Sequence, residues 1–563
     1  MSADFSSVWP RAATLLRARL NRLLAARDRY DLAVAALFIT LAVLVLATFH
    51  VYAITNDEPV QQHYGKLIVA YYASGLKNQA LFHFVNLYLY GGLFDGIAVL
   101  IQRALPMIEP YTIRHLLCAV IGLGGIAAAW ATARLVAGPR AAAIAAFALA
   151  VCGPWYGAMF NHTKDIPFAA AMMGATYFLL RVARDLPRPR WRDVIGFGLL
   201  LGAALGIRVL GLLMVGYVAL AIFVHGPAWR ASAGKAIEFG GRSVTALLPA
   251  FVIAYLIMIV AWPWSVLSPL NPIRGLIDFG EFHYQIRTLL DGHIYEMANV
   301  PRWYVPAYLL FKLPLLIVAG AIVSVIFIAW PRRSAAVELV RKRNETLLLA
   351  VTAVFPVLCE VIDRGPAFTG LRHFLFVVPV FAVLAGIGFD ALLRRFSALR
   401  PWLSHVAALA IVAVLGWNAG MLIALHPYEY LYYNPLVGGL AGASGRYAGD
   451  YWVTIMPEAV EDLEAYVARL DAKGHHTHRY TVAVCGERLP FEKEANSRLQ
   501  WVQDWSKAEF FIAPTHMNCD RALGGREISR ISRLGVKIGV VKDRRALLTP
   551  EVASMPDTAP PKN

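Results

Sequence analysis

The sequence predicts a mainly α-helical membrane protein with a small α/β domain at its C-terminal end. The chain is 58% hydrophobic and only 16% charged over 563 residues, which is too apolar for a soluble protein. Apolar runs recur from residue 32 to residue 425, and they are long enough for about eleven transmembrane helices. Beyond residue 427 the chain becomes more polar and carries strand-like segments.

The predicted spans follow one another with short polar breaks. The first covers about 32–54, and a half-length pair at 194–207 and 209–225 flanks Arg208. The other spans are expected at 113–137, 141–160, 166–184, 244–264, 305–330, 347–362, 372–392 and 404–425. Between the first two spans, the apolar pieces at 67–74 and 93–105 are too short to cross a bilayer and predict helices that lie at its surface.

The positive charge of the chain is best explained by membrane topology. A formal net charge of +16 would indicate nucleic-acid binding in a soluble protein, but here the basic residues cluster between apolar runs. The basic loops alternate with less basic ones, which predicts a cytoplasmic N-terminus. We therefore expect a multi-pass membrane protein, with a basic cytoplasmic segment at 1–31, a transmembrane domain at 32–426 and outer loops that include 55–112.

The tail, 427–563, is predicted to be a small periplasmic α/β domain. A helix is expected at 457–470, strands at 480–484, 508–512 and 535–541, and a disordered end at 549–563. Cys485 and Cys519 lie in this domain and could form a disulfide outside the cytoplasm. Cys118, Cys152 and Cys359 lie in or beside apolar runs, as is typical of packing residues.

Four polar groups should meet at the outer face. They are Asp57-Glu58 after the first span, the turn Asn161–Pro167 with Lys164 and Asp165, the loop 274–314 with Arg302 and Lys312, and Arg372-His373 at a span entry. Carboxylates at the mouth of a membrane span are costly and are typically retained for function. A carboxylate can act as a base for an acceptor hydroxyl, and cations can stabilise a leaving phosphate. This set suits sugar transfer from a lipid phosphate.

Each group also has a structural interpretation that remains open. Asp57-Glu58 could cap a following helix, and Lys164-Asp165 could be a helix start with Pro167 in its first turn. Arg372 and His373 could reach toward lipid headgroups. The loop 274–314 could be mostly surface. His63, His83, His162 and His283 lack the spacing of metal ligands on a helix, so we expect neither a metal site nor a cofactor.

The order of these motifs resembles a known family. Asp57-Glu58-Pro59 with Tyr64-Gly65, the run Asn161–Ala169, Arg372-His373, and Tyr432-Tyr433-Asn434-Pro435 followed by Asp450-Tyr451-Trp452 are similar to bacterial members of the protein O-mannosyltransferase-like (glycosyltransferase family 39) group. That group belongs to the GT-C superfamily, which includes the aminoarabinose transferases. The resemblance implies a GT-C-type membrane fold, a location in the bacterial inner membrane and a polyprenyl-phosphate sugar donor. It also implies transfer that usually inverts the anomeric carbon.

The resemblance also implies roles for individual residues. Asp57 matches the catalytic acidic residue of the first outer loop, Glu58 its neighbour, and Asp165 a second acidic position. Arg372 matches a basic position that meets the donor phosphate. From the residues themselves we expect Arg302, Lys312 or Lys164 to help hold that phosphate, and Tyr64 and His373 complete the predicted substrate-binding set. The tail does not resemble the β-trefoil of eukaryotic protein mannosyltransferases, so a glycan, a glycolipid and a protein all remain candidate acceptors.

Two other functions fit the spans and basic loops. A transporter or flippase of a lipid-linked sugar would also need many spans, but its ionisable residues should lie near the bilayer midplane and its halves often repeat. Here the charges gather at one face and no internal repeat is visible. A membrane scaffold for the outer domain is the third hypothesis.

Overall fold

The computed structural model describes residues 28–227, 232–280, 286–329, 336–363, 368–474 and 478–548. Most of the predicted basic N-terminal segment, the predicted disordered end and His283 lie outside these ranges. Within them, apolar helices form a bundle and a five-stranded sheet closes the C-terminal end. The predicted fold class, a helical membrane bundle with a small C-terminal α/β domain, is confirmed.

Seven helices in the described ranges are long and apolar enough to cross a membrane. They are Arg29–Val51, Pro110–Ala137, Asp165–Arg184, Ala233–Ala261, Val337–Ile362, Arg372–Leu399 and Pro401–Leu425. Two bent pairs raise the number to nine: Pro139–Ala150 with Gly153–Asn161, bent by 66°, and Tyr304–Lys312 with Leu315–Ala329, bent by 114°. The protein is therefore a multi-pass membrane protein, but the predicted count of eleven is not confirmed.

Proline and glycine account for the bends. The first bent pair breaks before Gly153-Pro154 and the second at Leu313-Pro314, where a proline lacks the amide hydrogen that a continuing helix needs. The predicted half-length pair around Arg208 forms two shorter helices, Trp191–Leu205 and Leu213–His225. Neither of these two helices is counted as a span by itself, so the number of spans falls further below the predicted eleven.

The remaining helices lie outside the long spans. They are Glu58–Ala73, Leu93–Ala104, Trp264–Leu267, Asn271–Gly280, Gly439–Ala443, Met456–Gly474 and Arg488–Glu494. Glu58–Ala73 and Leu93–Ala104 occupy the loop where two short helices were expected, although the first begins nine residues earlier than predicted. They touch at Gly65, where an added Cβ would lie 2.5 Å from the carbonyl oxygen of Asp95.

Small residues bring the central helices close together. A Cβ at Gly388 would lie 2.1 Å from the carbonyl oxygen of Gly320, and one at Gly386 would lie 2.3 Å from that of Ala141. Close backbone contact of this kind is how helices pack in membranes, where the hydrophobic effect does not drive them together. The packing holds the helix Val378–Leu399 in the middle of the bundle, and the short 3₁₀ turn Arg372–Val377 precedes it.

The C-terminal domain is a mixed sheet with a helix packed on it. The strand order is Leu499–Trp501, Tyr480–Val484, Phe510–Pro514, Val536–Asp543, Arg526–Arg533; the first three are parallel and the last two antiparallel to their neighbours. The helix Met456–Gly474 packs on the antiparallel pair. The sequence did not predict two strands of this sheet, Leu499–Trp501 and Arg526–Arg533. It also did not predict a separate hairpin of Arg287–Leu290 with His293–Glu296. Cys485 and Cys519 are joined by a disulfide.

This domain sits on the end of the bundle that carries Asp57. The backbone N–H of Glu487 donates to the Asn56 side chain at 3.2 Å, Lys493 pairs with Glu109 at 3.2 Å, and Arg533 donates to the carbonyl of His426 at 3.0 Å. These contacts come from three separate parts of the domain. The polar residues around Asp57 therefore lie between the helix ends and the domain.

Candidate active site

Arg372 joins two carboxylates that lie far apart in the sequence. Its Nη2 donates to Asp57, and its Nε donates to Asp165 at 3.1 Å. Asp57 comes just before the helix that begins at Glu58, Asp165 begins its own helix, and Arg372 begins the turn before the central helix. Three helix entries thus converge, and the predicted meeting of Asp57 with Arg372 is present in the structure.

A second arginine, Arg208, completes the cluster. It pairs with Asp165 on the side away from Arg372, and its Nη1 lies 3.3 Å from Nδ1 of His373. The side chain of Asp165 is only 3% exposed, whereas that of Asp57 is 41% exposed. Asp165 is therefore held between two guanidinium groups in the interior, and Asp57 is the carboxylate that solvent and a substrate can reach.

The C-terminal segment forms one wall of this cluster. The guanidinium carbon of Arg372 lies 4.3 Å from the centre of a Trp452 ring. Asp450 fixes that wall by accepting hydrogen bonds from the backbone N–H groups of Thr454 at 2.9 Å and Ile455 at 3.0 Å. Burial raises the pKa of Asp450, while these hydrogen bonds favour its charged form.

Lys164 is buried beside the cluster but contacts a ring. Its ammonium lies 4.1 Å from the centre of the Tyr90 ring, and burial lowers the pKa of Lys164 to about 8. Tyr64 is buried as well, and its hydroxyl donates to the carbonyl of Tyr90 at 3.1 Å. Tyr64 therefore positions the segment of Tyr90 rather than facing the carboxylates.

The other two predicted cations differ in their surroundings. Lys312 is buried, donates to the carbonyl of Tyr430 at 2.8 Å and lies 4.0 Å from the centre of the Tyr433 ring. Arg302 is exposed on the loop before Tyr304. The structure brings Lys312 to the cluster and leaves Arg302 outside it.

A small cavity of about 20 Å³ separates Lys312 from Arg372. His162, Thr369 and Tyr451 also line it. The two ring nitrogens of His162 and the hydroxyl of Thr369 have no hydrogen-bond partner among the described residues. Burial lowers the pKa of His162 to about 3, so the imidazole is neutral near pH 7.

Glu58 belongs to a separate buried network. Its Oε2 accepts from the backbone N–H of Thr55 at 2.8 Å and lies 3.1 Å from Nε2 of His115, and its other oxygen lies 3.8 Å from Nε of Arg114. Arg114 also donates to Asp95 at 2.8 Å and Thr163 at 2.9 Å. Glu58 is fully buried, so this carboxylate ties the first loop to the bundle and does not join Asp57 at Arg372.

An apolar groove of about 850 Å³ runs along the bundle. It lies between the helices Arg29–Thr48, Pro139–Ala150 and Pro401–Leu425, and it extends from Tyr30 to Thr48 along the first of them. Eighteen helical positions correspond to about 27 Å at about 1.5 Å per residue, close to the thickness of the hydrocarbon core. An isoprenoid or acyl chain would fit such a groove.

Several residues of the site were not predicted from the sequence. Arg208, His162, Tyr90 and Trp452 were not assigned roles. The sequence did indicate that Arg208 has a partner, because a single arginine between two apolar segments is costly without one. In the part of the chain that the structure describes, no group of three or more His, Cys, Asp or Glu side chains is placed to hold a metal ion.

Part of the helical bundle matches a known protein family. Residues 112–264 match the dolichyl-phosphate-mannose-protein mannosyltransferase family. The matched segment includes His162, Lys164, Asp165 and Arg208, all of which lie in or beside the cluster. The predicted resemblance to protein O-mannosyltransferase-like enzymes is confirmed over this segment.

Several solved structures are similar to this chain at low sequence identity. ArnT from Cupriavidus metallidurans in the apo state is 17% identical, with a TM-score of 0.49 over 92% of this chain and 99% of its own. The same protein bound to undecaprenyl phosphate is 15% identical, with a TM-score of 0.47 over 90% of this chain and 97% of its own. The oligosaccharyltransferase AglB from Archaeoglobus fulgidus was solved in complex with an inhibitory peptide and a dolichol-phosphate. It is 13% identical, with a TM-score of 0.42 over 82% of this chain and 66% of its own. No curated protein sequence matches the chain.

Proposed function

We propose that this protein is an inverting glycosyltransferase that moves a sugar from a polyprenyl-phosphate carrier to an acceptor outside the cytoplasm. The observation that carries the proposal is the contact of Asp57 with Arg372 at the end of an apolar bundle. A reachable carboxylate, a buried guanidinium and a groove for an apolar chain are the parts that such a reaction needs. The family match over residues 112–264 supports the same class.

In the proposed reaction Asp57 accepts the proton of the acceptor hydroxyl. The acceptor oxygen forms a bond to the anomeric carbon while the bond from that carbon to the phosphate oxygen breaks on the opposite face. Arg372 meets the charge that develops on the leaving phosphate, which departs as polyprenyl phosphate. Asp165 and Arg208 act as positioning residues, because Asp165 contacts Nε of Arg372 and Arg208 holds Asp165 in place.

We propose that no divalent ion takes part. The donor in this scheme is a phosphodiester with one phosphate group and a single negative charge, and Arg372 and Lys312 can meet that charge. Of the acceptors considered, a glycan, a glycolipid and a protein all stay open. The orientation, with the C-terminal domain in the periplasm of a bacterial inner membrane, is part of the proposal.

The test is incubation of the purified full chain, reconstituted in vesicles, with a series of labelled polyprenyl-phosphate sugars. We expect slow release of the sugar to water without an acceptor and faster consumption of the donor with a suitable one, at the same rate with and without EDTA. Movement of intact lipid-linked sugar across the vesicle without bond cleavage would instead indicate a flippase. Loss of turnover in EDTA that an added divalent ion restores would contradict the metal-free scheme.

A further inference from the structure

Arg372 makes two ion pairs of unequal accessibility. Asp165 is 3% exposed and keeps a second partner in Arg208, so its charge remains balanced if Arg372 moves. Asp57 is 41% exposed, and Arg372 is its only cationic partner within 4.0 Å among the described residues. Surface-exposed ion pairs contribute little free energy, whereas buried ones are costly to break. The contact with Asp57 is therefore the one that an incoming anion can replace.

Lys312 is a buried amine that no carboxylate of the described chain pairs with nearby. No carboxylate oxygen lies within 4.0 Å of its ammonium in the described ranges. Asp450 interacts instead with Tyr430 and Thr454. Lys164 is also buried, but the charges of Asp95 and Asp57 attract it. A buried amine without a counter-ion is costly to charge, and an anion that binds beside it offsets that cost and favours its charged form.

The cavity between Lys312 and Arg372 is lined by hydrogen-bond donors as well as by apolar side chains such as Leu371 and Leu375. The unpartnered hydroxyl of Thr369 and the unpartnered neutral imidazole of His162 line it with the two cations. Its volume of about 20 Å³ is room for about one water molecule, since a site needs roughly 10–15 Å³ for one water. A phosphate group needs more space than that. An anion can enter only if a side chain moves, and Arg372 is the lining residue whose outer contact is exposed.

We propose that the donor's phosphate exchanges with Asp57 as the partner of Arg372, with Lys312 as the fixed cation of the phosphate site. This inference rests on the proposed function and adds an order to it. In the free protein, Asp57 is held by Arg372. When the phosphate binds Lys312 and draws the guanidinium toward itself, Asp57 is released to accept the acceptor's proton. The donor therefore activates the base, and a base that is occupied until the donor arrives cannot act on an acceptor alone.

The exchange makes an unusual prediction about a change at Asp57. Because Asp57 competes with phosphate for Arg372, Asp57→Asn should bind undecaprenyl phosphate about threefold to fivefold more tightly than the unchanged chain, as expected for loss of a half-exposed ion pair. Lys312→Met should weaken that binding about tenfold or more, because a charge-assisted contact is lost. Binding is measured on the full chain in nanodiscs, with undecaprenol as the uncharged reference lipid.

Glu487→Gln is the matched control. Glu487 is near enough to Asp57 that burial and the charge of Asp57 raise its pKa, yet it has no ion pair with Arg372. Its affinity for undecaprenyl phosphate should stay within twofold of the unchanged chain. Asp57→Ser serves as a second variant, and the melting temperature of each variant checks folding.

The outcomes separate the two proposals. If the unchanged chain does not prefer undecaprenyl phosphate to undecaprenol, the proposed donor class fails. If it does prefer the phosphate but Asp57→Asn binds it no more tightly, the exchange is overturned and the function stands. Equal tightening in Asp57→Asn and Glu487→Gln would show a general charge effect and also overturn the exchange. Weakening by Lys164→Met but not by Lys312→Met would reject Lys312 as the phosphate's cation.

Discussion

At the residue scale, two neighbouring carboxylates have different roles. Asp57 faces Arg372, while Glu58 points into a network with Arg114 and His115. Successive residues at a helix start are rotated by about 100° around its axis, because about 3.6 residues make one turn. Both side chains therefore cannot reach the same partner. The sequence pattern identified the acidic pair but could not assign its members separate surroundings.

Glu58→Gln should therefore destabilise the protein more than it alters the chemistry. Removing one partner from a fully buried charged network typically costs about 3–5 kcal/mol. We expect a lower melting temperature in detergent for Glu58→Gln and a nearly unchanged one for Asp57→Asn, whose side chain is half exposed. Equal melting temperatures for the two variants, with turnover lost in Glu58→Gln, would restore a direct catalytic role for Glu58.

At the element scale, the apolar pattern located helices well and their interruptions poorly. The spans predicted at 113–137 and 166–184 agree with Pro110–Ala137 and Asp165–Arg184. The span predicted at 305–330 is broken instead, because Pro314 lies at its middle. The strand Arg526–Arg533 was not predicted because charged residues recur along it and only one of its eight positions is buried. Arg208 was noted between two short apolar segments but was given no role, because segments too short to be clear spans left its surroundings undefined.

The disulfide of the C-terminal domain links two segments that touch the site. Cys485 precedes Gly486 and Glu487 beside Asn56, and Cys519 follows His516, whose Nδ1 accepts from the backbone N–H of Gly449 at 3.2 Å. These contacts hold the segments against the Asp57 loop and the segment that leads to Trp452.

Replacing both cysteines with serine should lower the stability of this domain by about 2–4 kcal/mol, as is typical of a native disulfide. The bond closes a loop with a sequence separation of 34 residues. We expect a lower unfolding temperature and slower donor turnover in the double variant, with the protein still inserted in the membrane. Unchanged stability and turnover would mean that the loops hold their positions without the bond.

At the scale of the whole molecule, composition and charge were enough to predict the class of protein. They predicted a multi-pass bundle with a polar C-terminal domain, and they predicted that charges from distant segments would meet at one end. The structure places Asp57, Asp165, Arg208 and Arg372 together there. The cavity at His162 and Lys312 could not be predicted, because it depends on how four separate segments pack. The side of the membrane on which this end lies remains a prediction.

The central claim is that Asp57 acts as the base of a sugar transfer whose donor phosphate meets Arg372. The most direct test is the rate at which the purified Asp57→Asn chain consumes a polyprenyl-phosphate sugar that the unchanged chain accepts, in the presence of its acceptor. We expect a loss of at least 100-fold, within the roughly 10²–10⁴-fold that general base catalysis contributes, with folding and donor binding retained. Turnover within a few-fold of the unchanged chain would contradict the account.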